Sequence, residues 1–307
     1  DNGYIPLEDM VEEAFHTNEQ TSRTLEYAYD DYAVAQMAKA LHDSCQDAAL
    51  RQKYLEDYND LMRRSENWRN VINPATGWAD GRYENGKWEN NEDLVHRKSY
   101  ITEGATCHYT WYVPQNPEGL FEVIRNSKPM DKQEKQIEKM ERKMEKKGET
   151  PVRNEKVIAR LDKMFDNGWY WHGNEPCHQV AYLYDAAGAP EKTQERVHHI
   201  LQTEYNDTSG GLSGNDDAGQ MSAWYVFSSI GFYPVCPGTP YYYIGTPSFD
   251  KVTLNLENGR KFILSADRQH MDDYLIQSVT LNGKPLADYR LSHQQILSGG
   301  ELHFQMK

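Results

Sequence analysis

Thr21-Ser-Arg-Thr-Leu-Glu-Tyr-Ala-Tyr-Asp-Asp-Tyr-Ala-Val-Ala-Gln-Met-Ala-Lys-Ala-Leu41 reads as one long helix, and the fold follows from what must pack against it. Leu25, Tyr29, Ala33, Met37 and Leu41 recur every four residues, while Ala28, Tyr32 and Ala35 fill the flank. So wide an apolar face implies packing on more than one side. Residues 48–65 predict a second helix, with Tyr54, Tyr58, Leu61 and Met62 on one face. Asn73-Pro-Ala-Thr-Gly77 is a turn, and an irregular loop rich in Trp, Asn and Gly runs from it to about Lys98. Residues 104–113 carry a short helical pattern that Pro114 stops. Further helices are expected over 131–147, 154–165, 177–187, 191–205 and 219–230, with Gly188-Ala-Pro190 giving a stop and a restart.

Beyond Pro234 the period changes from helical to two. Val252, Leu254 and Leu256 alternate, Asn258-Gly259 makes a hairpin turn before Phe262 and Leu264, and a second Asn-Gly follows at 282–283. Leu302, Phe304 and Met306 alternate at the end. The expected fold is therefore mainly α with a C-terminal antiparallel β unit, the helices forming part of an (α/α)6 toroid. Residues 1–236 would be the helical portion and 237–307 the β-rich segment. A ring of six helical hairpins needs twelve helices and seven or eight are legible, so a closed ring is expected to need more chain. The opening Asp1-Asn-Gly-Tyr-Ile-Pro6 has no signal-peptide pattern and reads as a loop from within a longer protein.

Composition narrows the function classes. The net charge is −14, and no basic stripe appears apart from one mixed-charge run at 131–147, so nucleic acid is not an expected partner. In that run Asp131→Lys135 and Glu138→Arg142 have helical pair spacing, and Ile137, Met140 and Met144 make a thin seam. The expectation is a solvated helix whose bases are offset by its acids. No stretch approaches the roughly 20 apolar residues of a membrane-spanning helix. Cys45, Cys107, Cys177 and Cys236 are scattered, with neither zinc spacing nor a disulfide framework. The 21 Tyr and 7 Trp are mostly core material, although such rings also suit sugar faces.

Two acidic clusters carry the chemistry. Gly214-Asn-Asp-Asp-Ala-Gly-Gln220 precedes the helix of Met221, Trp224, Tyr225 and Ser228. Its N-terminal N–H groups would hold a carboxylate ionised, as a general base requires. Capping explains one of Asp216 and Asp217; an Asn-Asp-Asp triple between glycines exceeds what a cap needs. Tyr100-Ile-Thr-Glu-Gly104 places Glu103 before Tyr109-Thr-Trp-Tyr112. Aromatic walls would raise its pKa toward that of a general acid, whereas a helix N-terminus would lower it. His172-Gly-Asn-Glu-Pro176 follows Gly168-Trp-Tyr-Trp171; its Asn and Glu could hold sugar hydroxyls or a hard cation, or Asn174 could simply cap a helix. His198-His199, and the pair His172 and His178, lack the spacing of a helical zinc site.

In this order, with Thr24-Leu-Glu-Tyr-Ala-Tyr-Asp-Asp31, Tyr109-x-Trp-x-Val-Pro114, Tyr205-Asn-Asp, Gly211-Leu-Ser-Gly-Asn-Asp-Asp-Ala-Gly-Gln-Met-Ser-Ala-Trp-Tyr225 and Gly231-Phe-Tyr-Pro234, these segments resemble the calcium-dependent α-mannosidases of glycoside hydrolase family 92. The resemblance spans nearly the whole chain. It implies an inverting hydrolysis of terminal α-linked mannose, with Glu103 at the position of the general acid and Asp217 at that of the base, Asn215 or Asp216 assisting. It further implies a Ca2+ ion, with Asn174 and Glu175 near sugar or calcium and Trp171 and His172 as pocket walls. Mannose-containing glycans such as N-glycans or yeast mannan would be the substrates, in a bacterial periplasmic or secreted protein.

The family's N-terminal β-sandwich and first toroid helices have no counterpart here, so the missing N-terminal portion of a parent protein is the expected partner. Without it, apolar faces such as that of 25–41 should be bare. The alternative is a non-catalytic fragment that binds glycan or only complements that partner. A toroid glycosidase of another specificity, acting on glucans or chitobiose, would account for the acids but not for the 214–225 string.

Overall fold

The computed structural model describes residues 2–10, 18–149, 154–286 and 288–307, which leaves Asp1 of the opening loop outside. The chain parts into two compact units, 1–170 and 171–307, so the second holds the later helices together with the β-rich segment.

In the first unit α1 (Gln20–Ser44) and α2 (Ala48–Arg64) form a helical hairpin. Asp47 caps α2 by accepting from the Leu50 amide, and the Asp31–Arg64 ion pair at 2.7 Å ties the two helices. The buried row of α1 is Leu25, Ala28, Ala35 and Ala38. The four-residue row read from the sequence drifts off it: a step of four overshoots the 3.6-residue turn by about 40°, and four steps carry the row to the far side. Met37 is accordingly 64% exposed, and Tyr27, Val34 and Leu41 are also exposed. Of the 25–41 row expected to be bare, Leu25 is buried and only Met37 and Leu41 are exposed, on a side of α1 that also carries Tyr27, Asp30 and Val34.

A short ribbon, β1 (Ile72–Asn73) and β2 (Trp78–Ala79), follows. After it come α3 (Thr106–Tyr109), α4 (Pro117–Asn126), α5 (Lys132–Lys146) and α6 (Glu155–Asp166). The core here is built on Trp68, Trp111, Phe121 and Ile124. Helix α4 was not expected, although its signals are local: Asn116 caps the Gly119 amide, Pro117 occupies the first turn, and Leu120, Phe121 and Ile124 face inward.

Three acids of the 131–147 run meet bases of α6 more closely than they meet bases of their own helix. Glu134 is fully buried in a two-bond ion pair with the equally buried Arg160 of α6 (3.0 and 3.1 Å). Asp131 pairs with Lys163 at 2.6 Å in place of Lys135, and Glu138 reaches Lys156 at 3.2 Å besides Arg142 at 3.4 Å. The partners lie on another helix, and that information is absent from a single-helix reading.

In the second unit, residues 177–187 are not one helix. Two 3-10 turns, Glu175–Cys177 and Val180–Tyr182, lead into α7 (Leu183–Ala187), because the side chain of Gln179 takes the Pro176 carbonyl that a continuous helix would use. Then come α8 (Pro190–Thr203) and α9 (Gln220–Ile230). One antiparallel sheet is β3 (Phe232–Tyr233), β4 (Tyr241–Ile244) and β9 (Arg290–Ser292). The other contains β5 (Lys251–Asn255), β6 (Lys261–Asp267), β7 (Ile276–Leu281), β8 (Lys284–Pro285) and β10 (Gly300–Met306), in the order β5-β6-β10-β7-β8. Helix α10 (His293–Leu297) lies between β9 and β10.

Both Asn-Gly turns stand where expected. The unit is nevertheless not purely antiparallel, since β10 pairs with β6 in parallel. Alternation of apolar residues says which face a strand buries and nothing about its direction, so the reading could not separate the two. Phe262, Leu264, Leu302, Phe304 and Met306 fill the shared core as their alternation requires.

Candidate active site

The turn before α9 divides the labour between its two acids. The Asp216 carboxylate accepts from the Ser222 amide and the Ser222 hydroxyl, both at 2.8 Å, and its carbonyl accepts from the Gln220 amide at 2.7 Å. Those hydrogen bonds hold its pKa below the usual carboxylate range. Asp216 is the cap. Asp217, Ala218 and Gly219 then follow one another in the left-handed region (φ 38, 58 and 85). Such conformations cost of order 1 kcal/mol or more for a side chain with a Cβ. The reversal leaves Asp217 exposed, and among the described residues its carboxylate has no hydrogen-bond or ion-pair partner.

Glu103, in the first unit, has the same two properties: φ is 48 and the side chain is exposed. Its turn is tied down on both sides. The Thr102 amide donates to Ser22 Oγ of α1 at 3.0 Å, and the Ala105 amide donates to His108 Nδ1 at 3.2 Å. His108 Nε2–H donates to the Trp169 carbonyl at 2.8 Å, so this imidazole is neutral, and burial holds its pKa down. One of the rings expected near Glu103, Tyr109, turns its hydroxyl to Glu26. Tyr109 OH donates to Glu26 at 3.0 Å, and burial raises the Glu26 pKa despite that bond, with Asp30 and Glu19 adding repulsion.

In the 172–176 segment the residues split again. Trp171 is 43% exposed, whereas His172 is buried. The Tyr205 hydroxyl donates to the Met221 carbonyl at 3.0 Å, so His172 Nε2–H must donate to the Tyr205 oxygen at 2.6 Å. His178 Nε2–H donates to the His172 carbonyl at 2.9 Å, and Gln220 Nε2 spans His178 Nδ1 (3.4 Å) and the Tyr233 hydroxyl (3.2 Å). Trp224 Nε1–H closes the network on the His178 carbonyl at 2.9 Å. Burial, with His178 adding repulsion, lowers His172 to about 3; burial also lowers His178 to about 4. Both rings are neutral struts beneath the site. Asn174 is only 7% exposed, and its Nδ2 has no partner among the described residues.

Gly173 and Gly214 bring the 172–176 and 214–217 segments together. A Cβ on Gly214 would stand 2.5 Å from the Gly173 Cα, and one on Gly173 would stand 2.7 Å from the Ser213 carbonyl oxygen. Neither position has room for a side chain. Beside this junction lies a cavity of about 840 Å3, lined by Tyr205, Asn206, Asp207, Asn215, Asp216 and Tyr225 among others; Asp217, Asn174 and Glu175 are not in its lining. Sequence reasoning named the acids but missed the Gly–Gly approach and Glu26; a glycine inside each motif was the available signal for the first.

Calcium takes six to eight oxygen ligands. Among the described residues no three His, Cys, Asp or Glu are placed to hold a metal ion. The orphaned atom at Asn174 is an N–H donor, which matches a hydroxyl oxygen and not a cation. Asn174 and Glu175 by themselves supply fewer oxygens than a calcium shell takes, and no step below depends on one.

An exposed carboxylate on a strained turn, a buried amide N–H and, beside their junction, a cavity edged by tyrosines, Asn and Asp suit the binding of a sugar. Comparison with known proteins gives the class. The glycosyl hydrolase family 92 catalytic domain matches residues 1–307, and the chain belongs to that family. It is similar to a family GH92 α-mannosidase of Bacteroides thetaiotaomicron, with 35% identity and a TM-score of 0.78 over 99% of this chain and 36% of that one. A GH92 inverting mannosidase of the same organism is 33% identical, with a TM-score of 0.78, over 99% of this chain and 38% of that one. An uncharacterized secreted glycosidase of Arthroderma benhamiae is 29% identical over 99% of this chain and 38% of its own length. The chain thus spans under two fifths of the length of each of these three relatives.

Proposed function

We propose that this chain carries the acid and the base of an inverting exo-α-mannosidase. The observation that carries the reading is Asp217: a partnerless, exposed carboxylate in a left-handed turn, beside an Asp216 that has already taken the capping role. Relatives described as an α-mannosidase and as an inverting mannosidase support the substrate and the stereochemistry.

In this mechanism Glu103, as the carboxylic acid, gives its proton to the glycosidic oxygen as the bond to C1 breaks. Asp217 takes a proton from a water that attacks C1 from the opposite face, giving β-mannose. Inversion needs the two carboxyl groups about 6.5 to 9.5 Å apart. Asn215 and Asp216, which line the cavity, would orient the water and the substrate. Asn174 would donate its free N–H to a sugar hydroxyl, and Trp171 would stack on a ring face.

Calcium remains part of the proposal through Glu175 and the Asn174 carbonyl oxygen, with further oxygens from outside the described residues. The helical hairpins are read as part of an (α/α)6 toroid, with 237–307 as a supporting segment. A periodic or complete ring would also cover the exposed Met37 and Leu41 of α1. Secretion or a periplasmic location is proposed with the secreted relative as support.

The test is hydrolysis of α-mannobiosides, following the first-formed anomer by NMR with and without EDTA. Release of β-mannose supports the mechanism, and its arrest by EDTA with recovery on adding calcium supports the ion. First-formed α-mannose would overturn inversion. A folded chain that binds mannobioside without turnover would favour the non-catalytic reading.

A further inference from the structure

The charge sorting on α5 leaves one face to be explained. At 3.6 residues per turn, Lys132, Lys135, Lys139, Arg142, Lys143 and Lys146 fall within a sector of about 100° that contains no acidic residue, along about 21 Å of helix. All six are exposed. Two of the helix's acids are engaged by α6, Glu134 with Arg160 and Glu138 with Lys156, and Glu141 and Glu145 lie outside the sector. Of the six, only Arg142 has an ion-pair partner, Glu138 at 3.4 Å; the five lysines have none among the described residues. Such a ridge on a chain of net charge −14 is a concentration of like charge that folding does not require.

We propose that the outer face of α5 is a binding surface for anionic polysaccharide, that is, glycan bearing phosphate, sulfate or carboxylate groups. The assignment of the anion's carrier as glycan rests on the glycosidase reading. Charge complementarity selects an anion, and the straight row of lysines, one every three or four residues, suits a linear polymer with repeated charges. Lysine ammonium groups bind such charges as points and without the paired geometry that arginine imposes.

A lipid surface is the less suited partner. An interfacial helix buries an apolar face in the bilayer, but Ile137 and Met144 are half-buried on the side opposite the lysines, which leaves Met140 as the single exposed apolar side chain of α5. Groups along this ridge are anchored rigidly, since the ion pairs beneath hold α5 on α6.

The experiment measures binding of heparin, as the model polyanion, by the full chain and by the variant Lys135→Glu/Lys139→Glu/Lys143→Glu. Vesicles of phosphatidylserine and phosphatidylcholine and a DNA duplex are the comparison probes. The expected result is binding at about 0.05 M NaCl that disappears near 1 M, where the screening length is about 3 Å. The variant is expected to bind at least about tenfold more weakly with an unchanged urea unfolding midpoint. Should the Glu variant unfold, the triple Lys→Gln replacement serves, with a smaller loss of the same sign. No heparin binding at low salt, equal binding by a folded variant, or tighter binding of vesicles or duplex than of heparin would each overturn the proposal. Hydrolysis of a neutral α-mannobioside reads the glycosidase function separately, because no lysine of this face belongs to that machinery.

Discussion

Each unit buries one dense polar cluster, and the two clusters are held by opposite means. In the first, α5 and α6 meet through full charges: Glu134 and Arg160 are both 0% exposed and pair with each other. In the second, the His172–Tyr205–Met221 and His178–Gln220–Tyr233 chains are neutral throughout, each donor matched to one acceptor. A buried ion pair depends on both partners being present, because either one alone is an unpaired charge in a poor solvent for it. A neutral network depends on no ring gaining a proton. The comparison teaches that the ionic unit should be fragile to mutation and the neutral one to acid.

The largest effect should come from breaking the ionic half. Arg160→Leu leaves the buried Glu134 only its longer contact to Lys163 at 3.4 Å and should cost about 3 kcal/mol. Urea unfolding measures it, and Glu134→Leu in the same chain should restore most of the loss; no restoration would mean that packing, and not charge, dominates there.

The neutral half is broken more gently, by pH. The folded pKa values of His172 and His178, about 3 and about 4, lie below the unfolded value of about 6.5. The unfolded chain therefore binds more protons in that interval, and the stability these rings contribute is complete above about 6.5 and is lost as pH falls toward 4. Unfolding midpoints at pH 7, 5.5 and 4.5 should decline, and the His172→Gln/His178→Gln chain should show a flatter profile. A parallel decline would assign the acid sensitivity elsewhere.

Gly214→Ala tests the backbone junction beneath this network. A Cβ with no room should cost roughly 1 to 3 kcal/mol and lower mannobioside turnover by displacing the Asp217 turn; full activity would show that the Gly173–Gly214 approach positions nothing. The smallest effects on stability separate the two acids. Asp216→Ala removes a cap and should cost about 1 kcal/mol. Asp217→Asn should fall within about 0.5 kcal/mol of the parent while lowering turnover by roughly 10²- to 10⁴-fold. If the two variants exchanged these behaviours, the division of roles in the turn would be reversed.

Much of the architecture was legible because it is local. Helices 20–44, 48–64 and 190–203, and the two Asn-Gly hairpins, announce themselves through period, caps and turn residues. The breaks in 177–187 were not legible, since they depend on where Gln179 finds its acceptor. The 214–220 turn was read as acids in excess of a cap, and the excess is Asp217. Which acid caps was undecidable from spacing alone, because Asp216 reaches Ser222 six residues ahead only once Ala218 and Gly219 have turned the chain left-handed.

By itself the sequence determined which residues carry charge, which faces are apolar and which motifs recur in family order, because these depend on composition and on the fixed periods of helix and strand. Only the tertiary structure decided which charges neutralise one another, which histidines stay neutral and which carboxylates are left without partners. Those outcomes are set by neighbours far away in the chain, and burial makes the pairing of a polar group, more than its identity, the quantity that counts.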